Sequence, residues 1–168
     1  GGRDYAQVPY DFIELGRRPL GTAFFPFIYA AGFENGMTPV SMTEDEPMDN
    51  RSVMVGGREG ILGEWGMELA SPVYEGRITL RRAFEQSKIA ATVRLTDRIG
   101  LKRVVDKAVD FGFPFGKSEL LPRLGVGFEE ASLKQAARAI SAFPRGGTFP
   151  SESLAYIDRV ENPKGQTV

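Results

Sequence analysis

The sequence predicts an α+β fold that is mostly helical, with strand fragments at both ends. Three observations carry that reading. Apolar residues recur at helical spacing in several runs between Ala23 and Phe143, most of them bounded by a capping residue and a glycine. Residues 155–160 alternate apolar and polar side chains, as a half-buried strand does. The opening is polar and broken by Pro9, Gly16 and Pro19, which makes residues 1–21 a strand end followed by loop.

Thr22 reads as the N-cap of a first helix over residues 23–33, with Pro26 in the first turn, where a missing N–H does least harm. Asn35-Gly36 closes it, since both residues accept the left-handed cap conformation. Residues 37–76 show no periodicity. They hold the acidic run Thr43-Glu44-Asp45-Glu46-Pro47, the turn pair Gly56-Gly57 and a lone Trp65, and they read as a long packing or functional loop. Thr79 caps a second helix from Leu80 to about Ser87, with Leu80, Ala83 and Phe84 on one face. A third, over residues 90–99, sets Val93, Thr96 and Asp97 beside an apolar seam and stops at Gly100. The clearest amphipathic spacing is Leu101, Val104, Val105, Ala108 and Val109, ended by Gly112. Ser132 caps a fifth helix whose stripe is Leu133, Ala136, Ala137, Ile140 and Phe143, and Arg145-Gly146-Gly147 ends it. Beyond the tail strand, Asn162-Pro163-Lys164-Gly165 reads as a hairpin turn before a return strand over residues 166–168.

A chain of 168 residues with 42% apolar side chains suits a single globular unit. Its 22 acidic and 21 basic side chains leave a net charge of −1, which supplies no clustered basic surface for nucleic acid. There is no histidine and no cysteine. A Ser-His-Asp relay, a Cys-His pair, the usual zinc sites and disulfides are therefore excluded within this chain. Carboxylate, serine or threonine chemistry remains, and no cofactor or metal is expected. The apolar stretch at residues 23–32 falls short of the ~20 residues of a membrane span, and no signal-peptide pattern is present. The opening Gly1-Gly2-Arg3 lacks an initiator methionine, so we read the chain as a piece of a longer or processed protein.

Some patterns read as plain structure. Gly112 to Ser118 approaches a phosphate-binding loop, but only three residues separate Gly112 from Gly116 and a helix precedes them, so an aromatic turn is expected. The acidic side chains Glu44, Asp45, Glu46 and Asp49 lack the spacing of a calcium loop and read as a solvated loop. Asn50-Arg51-Ser52 matches a glycosylation acceptor, a pattern too short to carry weight.

Two segments say more: Arg17-Arg18-Pro19-Leu20-Gly21-Thr22-Ala23-Phe24-Phe25-Pro26-Phe27-Ile28-Tyr29-Ala30-Ala31, and Gly76-Arg77-Ile78-Thr79-Leu80-Arg81-Arg82-Ala83-Phe84-Glu85-Gln86-Ser87-Lys88-Ile89 with its continuation to Leu95. Together they resemble the transpeptidase domain of class A penicillin-binding proteins, the bifunctional peptidoglycan synthases of bacteria. Gly1-Gly2-Arg3-Asp4-Tyr5, Asn35-Gly36-Met37-Thr38-Pro39, Gly100-Leu101, Gly146-Gly147, Tyr156-Ile157 and Arg159-Val160 fall in the family's order, so the resemblance covers nearly the whole chain. It implies a penicillin-binding-protein/β-lactamase-like fold, with residues 1–168 forming one partial transpeptidase-like unit that is mostly its helical part.

In that family a serine nucleophile and a lysine base stand one helical turn apart in an S-x-x-K motif, joined by an S-x-N motif and a K-T-G strand. Here Thr22 stands at the nucleophile position and Phe25 replaces the lysine. Ser87 keeps the first residue of the second motif, Ile89 replaces its asparagine, and no K-T-G triplet follows. Lys88, at the variable middle position, reads as a surface lysine.

The resemblance therefore implies a degenerate, catalytically inactive domain in cell-wall synthesis, with a structural, ligand-binding or partner-binding role. The expected partners are a peptidoglycan stem peptide or a β-lactam, with a protein partner or self-association also open. The place is extracytoplasmic, in a membrane-anchored parent. Two alternatives stay open: an acyl-transferring enzyme using Thr22 or Ser87 with a base from outside the chain, and a helical interaction module. Phe25 and Ile89 are expected to meet within the ~4.5 Å of an apolar contact and to close the former pocket beside Thr22.

Overall fold

The computed structural model describes residues 6–7, 9–53, 73–148 and 160–167. Its first helix, α1 (Phe25–Glu34), is apolar almost all round, and such a helix must be buried. It runs through the middle of the molecule and packs on α3 (Ile89–Ile99) and α4 (Leu101–Asp110). Phe24, Phe27, Ile28, Leu95, Ile99 and Val104 form the centre of the core, each fully or almost fully buried. Phe27 sits edge-on to both Phe111 and Phe113, with ring centroids 4.9 Å away in each case. Burial of each such side chain contributes about 1.5–3 kcal/mol.

The ends of α1 divide the expectation. Asn35 closes it as foreseen, its Nδ2 donating to Ala31 O at 2.7 Å, and Gly36 takes φ +82°. Thr22 caps nothing. The chain already coils at Leu20, and Thr22 lies inside a 3-10 turn, Gly21–Phe24, that feeds α1. An N-cap needs extended backbone, whereas Leu20 and Phe24 are both in the right-handed helical region.

Strands occur where loop was expected. β1 (Arg18–Pro19) pairs antiparallel with β4 (Glu130–Ala131). Backbone bonds from Leu20 N–H to Glu129 O (3.2 Å) and Gly21 N–H to Gly127 O (2.8 Å) carry that pairing up to Thr22. β2 (Met42–Asp45) pairs with β3 (Gly76–Thr79), Thr43 opposite Ile78 and Asp45 opposite Gly76. β2 escapes a search for apolar alternation because its inward side chains are polar: Thr43 donates to Ala91 O at 3.2 Å, and Asp45 is buried in an ion pair with Lys88. The acidic run is therefore strand as far as Asp45, which is buried, while Glu44 and Glu46 face solvent. Arg94 on α3 also donates to the carbonyls of Glu44, Glu46 and Pro47, at 2.9–3.2 Å, and Arg98 one turn on donates to Met42 O at 3.0 Å.

Thr79 caps α2 (Leu80–Glu85), accepting from Arg82 N–H at 3.2 Å, and the helix ends two residues before Ser87. Ser132 and Gln135 form a capping box on α5 (Leu133–Ile140). The α5 stripe, however, faces outward. The helix docks through Ala139, with Ala142 buried in the turn beyond it, while Leu133 is 64% and Ile140 43% exposed. Phe143 keeps one side against Phe27 and Phe111. Near the end, Glu161 bridges Thr167 across the turn at Asn162, as expected. The strand end over residues 1–5, Gly56-Gly57, Trp65 and residues 155–159 lie outside the described residues.

Candidate functional site

Thr22 is exposed on the 3-10 turn at the head of α1. The turn rests on Gly127, whose φ is +73° and where an added Cβ would stand 2.1 Å from Gly21 O. Only glycine allows that approach, so the position of Thr22 is set by the loop before β4. One turn into the helix, Phe25 is 2% exposed and belongs to the main apolar cluster. Ile89, half-buried at the start of α3, packs against the same cluster and against a smaller one around Val53 and Val93. Among the described residues, neither the Thr22 nor the Ser87 hydroxyl has a hydrogen-bond partner.

Ser87 has an unusual backbone. At φ +50° it is the one non-glycine residue in the left-handed region among those described. The hydrogen bonds name the cause: Ser87 N–H donates to Phe84 O (3.0 Å) and Lys88 N–H to Ala83 O (2.9 Å), the paired bonds of a Schellman cap on α2. Glycine usually takes that position, and a side chain there costs about 1–2 kcal/mol.

Lys88 is not a surface lysine. Its side chain is only 15% exposed, and its ammonium lies 2.9 Å from Asp45 Oδ2 and 3.1 Å from Glu75 Oε1. It also donates to Val73 O at 2.7 Å, so three acceptors meet its three N–H groups. Burial pulls the Lys88 ammonium down, but the two carboxylates outweigh it and hold the group above its ordinary value. The cluster closes on itself: Glu75 N–H donates to Asp45 Oδ2 (3.0 Å), and Arg82 Nε to Glu75 Oε2 (2.9 Å). Hydrogen bonds from Arg82 and Lys88 keep the Glu75 carboxyl below the usual range. The ammonium is thus fully engaged by acceptors of its own. Sequence reasoning placed Asp45 in a solvated loop and missed Glu75, Arg94 and Arg98; the one available signal was the i, i+4 spacing of the two arginines on α3.

Elsewhere the chemistry is plain. Tyr29 and Thr92 share a buried hydrogen bond of 3.1 Å, and burial pushes the Tyr29 hydroxyl up to about 12 despite that bond. The segment from Gly112 to Ser118 is an aromatic turn, with Phe113 and Phe115 stacked and buried and Ser118 donating to Glu129 at 2.7 Å. An open apolar groove of about 600 Å3 runs between α1 and α2, lined by Pro26, Tyr29, Phe33, Phe84 and Phe143 among others. Among the described residues no cluster of acidic side chains could hold a metal ion, and no helix is long and apolar enough to cross a membrane.

Solved structures define the class. The chain superposes over its full length on penicillin-binding protein 1A from Haemophilus influenzae, with a TM-score of 0.80, 24% identity and 24% of that chain covered. It matches penicillin-binding protein A from M. tuberculosis with a TM-score of 0.73 at 18% identity, over 99% of this chain and 40% of that one. The fold is thus the partial α+β fold of a penicillin-binding-protein transpeptidase. Sequence relatives narrow this. Penicillin-binding protein 1A is 27% identical in Escherichia coli strain K12 over 168 residues, and 29% identical in Pseudomonas aeruginosa over 171, each match covering all of this chain. Along its whole length the chain is similar to class A penicillin-binding proteins and has a transpeptidase-like fold, as the resemblance implied. It spans about a fifth of the length of these relatives, 19% and 20%. No protein-family model matches it.

Proposed function

We propose that this chain is one transpeptidase-like portion, residues 1–168, of a bacterial peptidoglycan synthase, and that it does not form an acyl-enzyme. Its role is then structural or one of binding a stem peptide, a β-lactam or a protein partner, in an extracytoplasmic, membrane-anchored parent. The observation that carries this reading is Phe25. Where the family would place the base, a phenylalanine is 2% exposed inside the core. Lys88, the nearest amine in sequence to Ser87, is consumed by Asp45, Glu75 and Val73. A threonine or serine hydroxyl without a base is a poor nucleophile.

The test is incubation of the intact parent with a reporter penicillin, followed by mass spectrometry. An unchanged mass is expected. A stoichiometric adduct on Thr22 or Ser87 would overturn the reading in favour of an enzyme whose base lies outside these residues. That second reading draws its support from the exposure of both side chains.

A further inference from the structure

The strained turn at Ser87 and the charge cluster at Lys88 adjoin in sequence, and their geometry makes them one device. α2 has only six residues, too few to hold a demanding C-terminal cap by itself. Its cap puts a serine where glycine is preferred, at φ +50°. The next residue is Lys88, whose ammonium reaches Asp45 on β2, Glu75 just before β3 and the carbonyl of Val73. Glu75 is in turn held by Arg82, which lies on α2 itself, and by its N–H on Asp45. The chain of contacts leaves α2 at Ser87, crosses to β2 and β3, and returns to α2 at Arg82.

We infer that Lys88 is a positioning residue: anchored on Asp45, Glu75 and Val73, it holds Ser87 in the left-handed conformation and so fixes the direction of its Cα–Cβ bond. Anchoring the Lys88 side chain restricts the backbone on its N-terminal side, which is the rotation Ser87 would use to relax. Because the ammonium is neutralised by its carboxylates, the turn presents an exposed neutral serine rather than a positive charge. The inference is independent of acylation, since it concerns the backbone and is read from backbone amides.

The test is amide hydrogen exchange on the chain and its Lys88→Met, Ser87→Gly and double variants. The reporters are the Ser87 and Lys88 N–H groups, both hydrogen-bonded in the cap, with the amides of α4 as the measure of global opening. Lys88→Met should speed exchange at the two reporters at least about tenfold more than in α4. Adding Ser87→Gly should return them to wild-type protection, because glycine takes the left-handed conformation without help. Equal acceleration in α4, unchanged reporters, or failure of glycine to restore protection would each overturn the inference. Should Lys88→Met fail to fold, Glu75→Gln removes one of the three anchors and should give a smaller acceleration confined to the same two amides. No local change in that variant would equally overturn it.

Discussion

Positions 25 and 88 treat an ammonium in opposite ways. The first lies inside the phenylalanine cluster at the head of α1, where Phe25 leaves no acceptor for an ammonium. The second lies between α2 and α3, where a lysine is kept with three acceptors around it. A charge leaves water only where partners replace its hydration, and an apolar ring needs none. The comparison teaches that this domain holds a partly buried charge where acceptors surround it, at Lys88, and packs an apolar ring where none do, at residue 25.

The largest effect should come from reversing the first choice. Phe25→Lys is expected to lower stability by about 3–5 kcal/mol, combining the loss of a core ring with burial of an unpaired ammonium. Urea unfolding measures it, and an unchanged midpoint would mean that water reaches residue 25.

The second choice should be cheaper to disturb. Asp45→Asn should cost about 2–3 kcal/mol, below the usual ~3–5 for a broken buried pair, because Glu75 and Val73 still hold Lys88. pH sharpens the point. The Glu75 carboxyl is lowered from its ordinary 4.5, so its contribution is present above that pH and disappears as pH falls through the lowered value. The Lys88 ammonium is raised from 10.5, so its contribution is complete below that pH and is lost as pH rises through the raised value. Tyr29 adds an alkaline loss that starts near its ordinary 10.0 and finishes near 12. A Lys88→Met variant should therefore show a flatter melting temperature in acid than the parent; parallel curves would remove the cluster from the account.

The most local effect is expected away from both positions. Gly127→Ala forces a side chain to φ +73°, a strain of about 1–3 kcal/mol, and the Gly21 backbone must also shift to make room for the Cβ. The variant should lose protection at the Gly21 amide, which donates to Gly127 O, while the Ser87 and Lys88 amides stay protected. Loss at both places would mean that the two regions are mechanically coupled rather than separate.

Local rules reached some of this and not the rest, for identifiable reasons. α3 and α4 were legible because Leu95 and Ile99, then Val104, Val105 and Ala108, follow the helical period that burial imposes. The caps at Thr79 and Ser132 were legible because a hydroxyl that bonds its own N-terminal turn needs only sequence neighbours. Thr22, Phe25, Ser87 and Ile89 could be singled out because motif spacing is local too. The outward turn of the α5 stripe was not legible, since periodicity names an apolar face without naming what covers it.

By itself, then, the sequence determined the main helices, the caps at Asn35, Thr79 and Ser132 and the absence of histidine and cysteine chemistry, all of which depend on residues a turn or less apart or on composition alone. The tertiary structure decided that Asp45 and Glu75 would meet Lys88, that Gly127 would seat the Thr22 turn, and that β2 would turn its polar side inward. Those outcomes depend on which distant segments share a dry space, because there the strength of a charge or the room for a Cβ is set by neighbours far away along the chain.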